Sequence, residues 1–106
     1  MKVGKEMKQF IYVLRLIPHL LNENNWAERE EKIVDRHFTK LQELLKEGKL
    51  ILAGRTLNMD EKTFGIAILE VESEEEAQTI MKNDPAVADG IMTAELFPYK
   101  VALIKR

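Results

Sequence analysis

The sequence has no cysteine, and only three prolines and five glycines among its 106 residues. Without cysteine the chain has no disulfide framework, no thiolate nucleophile and no thiolate metal ligand. Long apolar runs are also missing: none approaches the roughly 20 residues of a membrane-spanning helix, and no segment has the flanks of a signal peptide. We therefore expect a cytoplasmic protein without a membrane partner.

An excess of charge of one sign is lacking as well, since 16 lysine and arginine residues are balanced by 18 aspartate and glutamate residues. This near balance gives no electrostatic reason to expect nucleic acid as a partner. A chain of this size buries roughly 60–70% of its unfolded surface and forms one domain. We assign residues 8–106 to that domain and expect residues 1–7, which lack periodicity, to be a disordered or loosely attached N-terminus.

The clearest element is a helix from about Asn25 to Glu47, whose apolar residues recur with helical spacing. Asn25 is predicted to be its N-cap with Glu28 as the capping-box partner, and Gly48 is predicted to end it in the left-handed conformation. The apolar stripe consists of Ile33, Val34, Phe38, Leu41, Leu44 and Leu45. Because His37 falls inside this stripe, its side chain is predicted to point inward.

Four segments have the composition of strands, namely residues 8–17, 49–57, 63–71 and 92–104. The first and third are apolar on both faces, which indicates central strands. Between the third and fourth strands, Ser73 is predicted to cap a second helix with Glu76 as its box partner. This helix should stop at Asp84, because the residue before Pro85 is driven out of the helical conformation.

The resulting order, βαββαβ, is that of the ferredoxin-like α+β fold, a four-stranded antiparallel sheet with two helices on one face. The opposite face would then expose aliphatic side chains of the first, third and last strands. An exposed apolar patch of this kind marks an interface. We therefore expect a homodimer in which the bare faces of two sheets pack together.

His37 is the leading candidate for proton transfer, because imidazole exchanges a proton near neutral pH and needs an orienting partner. Asp84 is the best-placed acid to be that partner. The alternatives are a core histidine bonded to the backbone and an aspartate that only caps a short helical turn. Arg15 and Arg55 are candidates for binding an anionic substrate, with a salt bridge as the alternative. Tyr12 is a candidate for binding the substrate through its hydroxyl, with packing in a central strand as the alternative.

Other kinds of site find little support. The two histidines are 18 residues apart and have no carboxylate at helical spacing on the inner face, so no metal site is predicted. The chain has no glycine-rich phosphate loop and no serine nucleophile motif. We expect no cofactor.

The RNA-recognition fold shares the βαββαβ order and is a remote alternative. Its third-strand motif is matched at Lys62, Phe64 and Gly65. However, Ile66 and Leu69 occupy positions where base stacking requires aromatic rings. The sequence therefore favours a sheet that packs against protein.

A set of short motifs runs through nearly the whole chain. They are Arg36-His37 with Leu41, Glu-Gly-Lys-Leu-Ile-Leu-Ala-Gly at 47–54, Ser73-x-x-x-Ala77, Asp84-Pro85-x-x-x-x-Gly90 and Phe97-Pro98-Tyr99. Together, from about Met7 to Ile104, they resemble the YciI-like family of small dimeric ferredoxin-like proteins, related in fold to the dimeric α/β barrels. The sequence departs from the family pattern at Arg55, where proline is frequent, and at 32–36, which lacks the serine often found before the histidine.

The resemblance implies a His–Asp pair, here His37 and Asp84, in a family whose activity is mostly unknown and which includes a dehydrochlorinase of aromatic degradation. We therefore expect a small-molecule enzyme that uses this pair for general acid–base chemistry of the lyase or isomerase type. A ligand-binding or structural homodimer without turnover is the alternative.

Overall fold

The computed structural model describes residues 6–105, which fold into one antiparallel sheet with helices packed on one face. The elements are β1 (Lys8–Leu16), α1 (Glu28–Lys46), β2 (Leu50–Arg55), β3 (Gly65–Val71), α2 (Glu74–Asn83), α3 (Pro85–Ala88) and β4 (Met92–Pro98). The strands lie in the order β2-β3-β1-β4. The ferredoxin-like fold is thus confirmed, with the first and third strands in the centre. We expected residues 1–7 to be disordered or loosely attached, but residues 1–5 of this segment lie outside the described residues.

The side chains of β1 alternate between the two faces of the sheet. Phe10, Tyr12 and Leu14 are buried toward the helices, whereas Ile11 and Val13 lie on the opposite face, which we call the open face. The helix-facing side chains form the core with residues of α1, α2, β2 and β3, namely Leu41, Leu44, Leu50, Ala67, Leu69, Val71, Ala77, Ile80 and Met81.

The N-terminus of α1 differs from the prediction. Asn25 is not its cap, because Asn25 ends a short 3-10 turn and its side chain donates to the carbonyl of His19 at 2.8 Å. The backbone is still extended at Ala27, whose N–H donates to the Glu30 carboxylate at 2.9 Å. The prediction of Glu28 as box partner was therefore also wrong. Two 3-10 turns, Pro18–Leu21 and Glu23–Asn25, lie in the connection between β1 and α1.

The predicted ends of the elements are mostly confirmed. Gly48 ends α1 with φ +76°, and Gly90 closes the turn after α3 with φ +79°. The Ser73 hydroxyl caps α2 by accepting from the Glu76 N–H at 3.1 Å, although the Glu76 carboxylate reaches the N–H of Glu72 rather than that of Ser73.

The last strand is shorter than predicted. Pairing ends where Pro98 faces Phe10, because β1 offers only two more residues before its own end. One further backbone hydrogen bond, from Tyr99 N to Gln9 O at 3.0 Å, continues the line of the strand. Residues 100–105 form no strand, and Leu103 is 95% exposed.

The apolar stripe of α1 is only partly buried. Ile33, Leu41 and Leu44 lie in the core, as predicted, but Phe38 and Leu45 are 60% and 56% exposed. The apolar face of α1 is therefore wider than the part that packs against the sheet of the same chain. Phe38 lies at the mouth of the cavity described next.

Candidate active site

A cavity of about 590 Å³ lies between α1 and the sheet, at the end of β1 that carries Leu14 and Leu16. Most of its wall is apolar, and its larger apolar side chains are Leu14, Leu16, Trp26, Val34, Phe38, Leu41, Met59, Phe64 and Met92. Its polar side chains are Asp35, His37, Arg55 and Thr63. An apolar wall with a few polar groups is typical of a small-molecule site.

His37 is the imidazole in this wall. Its Nδ1 atom lies 2.6 Å from Oδ1 of Asp84, and the side chain of His37 is only 13% exposed. Because an ionised carboxylate can only accept, this contact favours a proton on Nδ1, which in the neutral ring leaves the lone pair on Nε2. The predicted contact between His37 and Asp84 is therefore present in the structure, and Nε2 is the ring nitrogen available to a ligand.

Asp84 is itself buried, at 1% exposure, and both of its oxygens accept hydrogen bonds. Oδ1 accepts from the N–H of Ala86 at 2.9 Å as well as from His37, and Oδ2 accepts from the hydroxyl of Tyr12 at 2.8 Å. The bond from Ala86 makes Asp84 the N-cap of α3. Asp84 thus caps α3 and contacts His37 at the same time.

Tyr12 reaches Asp84 from the centre of the sheet. Its register partner on β3 is Ala67, whose small side chain leaves room for the ring. Burial raises the pKa of the Tyr12 hydroxyl, and the negative charge of Asp84 and the hydrogen bond to it raise that pKa further. Tyr12 consequently remains a hydrogen-bond donor. Tyr12 was predicted to contact the substrate, but it does not line the cavity. Its hydroxyl instead contacts Asp84, the partner of His37.

The two arginines proposed as anion binders lie on different faces of the sheet. Arg55 lines the cavity at the end of β2. Arg15 lies on the open face, where its guanidinium stacks over the ring of Phe64 at 5.4 Å from the centroid. Only Arg55 is therefore placed to meet a ligand in the cavity of this chain.

Sequence reasoning missed Trp26, which forms part of the cavity wall. Its indole N–H donates to the carbonyl of Leu20 at 2.8 Å, which fixes the ring against the 3-10 turn. A single tryptophan between a polar stretch and a helix carried no periodic signal. Met59, from the loop after β2, was missed for the same reason.

Residues 6–105 hold neither a cluster of metal-binding side chains nor a membrane-spanning helix. No group of three or more histidine, cysteine, aspartate or glutamate side chains lies together as a metal site in this part of the chain. None of its helices is both long and apolar enough to cross a bilayer.

The fold is similar to those of known structures. One is 5-chloro-2-hydroxyhydroquinone dehydrochlorinase from Burkholderia phenoliruptrix AC1100 in complex with 2,5-dihydroxybenzoquinone, with a TM-score of 0.65 and 21% identity over 87% of this chain and 93% of that chain. Another is a putative antibiotic biosynthesis monooxygenase from Bacteroides thetaiotaomicron, with a TM-score of 0.53 and 9% identity over 95% of this chain and 96% of that one. At these identities the similarity establishes the fold alone.

The sequence itself establishes the family. No curated protein matches this chain. Residues 12–100, however, match the model of the YCII-related domain, a range that includes Tyr12, His37, Asp84 and the whole cavity wall. The chain therefore belongs to the YCII-related domain family.

Proposed function

We propose that this protein binds a small hydroxylated aromatic or quinoid compound in the cavity and that His37 transfers a proton on it. The observation that carries the proposal is the 2.6 Å contact between His37 and the buried Asp84 at the wall of an otherwise mostly apolar cavity. An imidazole held in this way is a general acid–base group. Its single aspartate partner stabilises the imidazolium that forms when Nε2 takes a proton.

The walls favour a flat, largely apolar ligand with an acidic oxygen. Apolar side chains such as Leu14, Trp26 and Leu41 contact the ring, while Arg55 is the only lysine or arginine among the described residues that line the cavity. A guanidinium at the mouth attracts a phenolate or enolate oxygen. The similarity in fold to a dehydrochlorinase complexed with a dihydroxybenzoquinone is consistent with this class of ligand.

The proposed reaction needs no cofactor. In dehydrochlorination, Nε2 of His37 takes a proton from the substrate, the electron pair left behind forms a new double bond, and the carbon–chlorine bond breaks with its electron pair leaving on chloride. In an isomerisation, the same nitrogen returns the proton to a different carbon. Both reactions need only one group that accepts and releases a proton.

The experiment measures binding and turnover separately. 2,5-Dihydroxybenzoquinone at ten times its dissociation constant should stabilise the protein by about 1.4 kcal/mol in a thermal shift assay. Chloride release from chlorinated hydroxyhydroquinones should fall about 10²–10⁴-fold in His37→Gln. His19→Gln is the matched control, because His19 is the other histidine of the chain and lies in the 3-10 turn outside the cavity wall.

Two results would contradict the proposal. Binding without turnover would make the protein a ligand-binding member of its family, and turnover that survives His37→Gln would remove the role of the histidine. The RNA-binding alternative is tested with a fluorescent single-stranded RNA. Saturable binding that is lost in Phe64→Ala would support that alternative instead.

We further propose that a second copy of this chain covers the open face. This face carries Ile11, Val13, Leu52, Ile66, Ile68 and Phe97. Leu52 and Phe97 are 38% and 44% exposed. Ile68 is already buried within one chain, and a second copy would bury the side chains of this face that remain exposed, such as Leu52 and Phe97.

A further inference from the structure

The charge of Asp84 is buried without a cation. In residues 6–105, no lysine or arginine forms an ion pair with it, and its partners are the His37 ring, the Ala86 N–H and the Tyr12 hydroxyl. A buried carboxylate in such a place is stabilised by its hydrogen bonds, which are stronger when the acceptor is charged. Each donor therefore affects how strongly the carboxylate attracts the proton on the His37 ring.

The three donors are not equivalent. Ala86 and His37 share Oδ1, whereas Tyr12 is the donor on Oδ2. The Ala86 N–H belongs to the backbone of α3 and cannot be tuned by a side chain. The Tyr12 hydroxyl comes from β1, at the opposite side of the carboxylate, and its ring is fully buried. Tyr12 is thus the side chain that both orients Asp84 and withdraws charge from it.

We infer that Tyr12 is a positioning residue that sets the strength of the His37–Asp84 hydrogen bond by sharing the negative charge of Asp84. A stronger donor on Oδ2 leaves less charge on Oδ1 and weakens the attraction for the proton on Nδ1. Removal of the donor has the opposite effect. This inference extends the proposed function, because it says how the basicity of the catalytic group would be adjusted from inside the sheet.

The charged groups around the ring come from several elements. Asp84 faces His37 from the start of α3, Asp35 lies on α1 itself, and Arg55 faces the cavity from β2. Asp35 and Arg55 line the cavity, whereas Tyr12 acts from behind Asp84. A change at Tyr12 therefore reaches the ring only through the carboxylate.

The test uses the ligand-free protein and the NMR resonance of the proton on Nδ1 of His37. In Tyr12→Phe, which keeps the ring and removes only the hydroxyl, this resonance should move downfield relative to the wild type. Tyr99→Phe is the matched control, because Tyr99 is the other tyrosine and is 43% exposed. It should leave the resonance unchanged.

A second perturbation acts in the opposite direction and does not depend on the stability of Tyr12→Phe. In the Tyr99→Phe background, 3-fluorotyrosine replaces Tyr12 with a nearly isosteric ring whose hydroxyl is a stronger donor. The resonance should then move upfield. An unchanged resonance in both proteins, or shifts in the same direction, would overturn the inference and leave Tyr12 with a packing role.

This readout is independent of the proposed function. Because no substrate is present, absence of turnover in the wild type would leave the expected shifts unaffected. Where a substrate is identified, loss of the Tyr12 hydroxyl should change kcat with little change in KM, because it alters the basicity of His37 and removes no contact with the substrate.

Discussion

The carboxylate of Asp84 caps the helix that follows it and, through the same oxygen, binds the ring of His37. Oδ1 accepts from the N–H of Ala86 at 2.9 Å and lies 2.6 Å from Nδ1 of His37. The hydrogen bond from the Ala86 N–H holds the carboxylate at the start of α3. The same bond keeps the carboxylate oriented toward the His37 ring. A structural cap therefore also orients the candidate catalytic histidine.

The first prediction concerns the tautomer of His37. In the neutral ring the proton should be on Nδ1, because Asp84 accepts it there, and Nε2 should carry the lone pair. A long-range ¹H–¹⁵N spectrum of labelled protein distinguishes the two nitrogens. In Asp84→Asn the acceptor loses its charge, so the Nδ1 proton should move upfield or be lost, while the signals of His19 stay in place.

A wild-type ring protonated on Nε2 would contradict this prediction. So would a Nδ1 proton that Asp84→Asn leaves unchanged. Either result would mean that the ring is held by packing alone.

Part of this site was predictable from periodicity. Helical spacing placed His37 on the inner side of α1, and the strand order then brought the start of α3 next to α1. The period of β1 likewise placed Tyr12 on the helix-facing side of the sheet. The spacing of apolar residues specifies the face of a helix or strand on which a residue lies, and the order of the strands specifies which elements are neighbours. Together they predicted that His37 and Asp84 lie close to each other.

The same signals could not specify the contacts between individual atoms. Tyr12 was predicted to bind the substrate. The alternation of β1 gives the face on which Tyr12 lies, but it does not show that the hydroxyl contacts Asp84. Asn25 was taken as a helix cap because asparagine ends 3-10 turns and caps helices with the same side-chain chemistry. Exposure of Phe38 depends on the width of the sheet that α1 crosses, and no local pattern records that width.

The second prediction is a loss of stability at alkaline pH that depends on Tyr12. Its pKa is raised in the folded protein, first by burial and then by the charge of Asp84 and the hydrogen bond to it. The stabilisation is therefore complete below about pH 10, where tyrosine in the unfolded chain begins to ionise, and is lost progressively at higher pH. The loss can reach about 1.4 kcal/mol per pH unit.

Denaturant unfolding between about pH 9 and 11, the range around the unfolded tyrosine pKa, measures this effect. The free energy of unfolding should fall less steeply with pH in Tyr12→Phe than in the wild type. Equal slopes in the two proteins would show that the hydroxyl of Tyr12 is not protected in the folded state.

The third prediction concerns the turn after α1. Gly48 has φ +76°, and a Cβ built there meets no atom within 4 Å. Gly48→Ala should therefore cost only the left-handed backbone conformation, about 1–2 kcal/mol. Gly54 is the matched control, because a Cβ there also meets nothing within 4 Å and its φ is not positive. A Gly54→Ala variant as unstable as Gly48→Ala would show that the backbone explanation is wrong.

The last prediction is that the protein is a dimer held by the open face. Light scattering at micromolar concentration should give twice the chain mass of 12.3 kDa. Ile11 is opposite Ile68 on one side and Phe97 on the other, so Ile11→Glu places a charge inside the apolar patch. Since burying an unpaired charge costs several kcal/mol, this variant should be a monomer.

The control for Ile11→Glu adds the same charge elsewhere. Gln42 is exposed on α1, away from the open face, and Gln42→Glu should remain a dimer with the wild-type mass. Retained far-ultraviolet circular dichroism in Ile11→Glu would separate loss of the dimer from loss of the fold. A wild-type protein that stays monomeric without aggregating would contradict the prediction, because the exposed Leu52 and Phe97 would then have no partner to bury them.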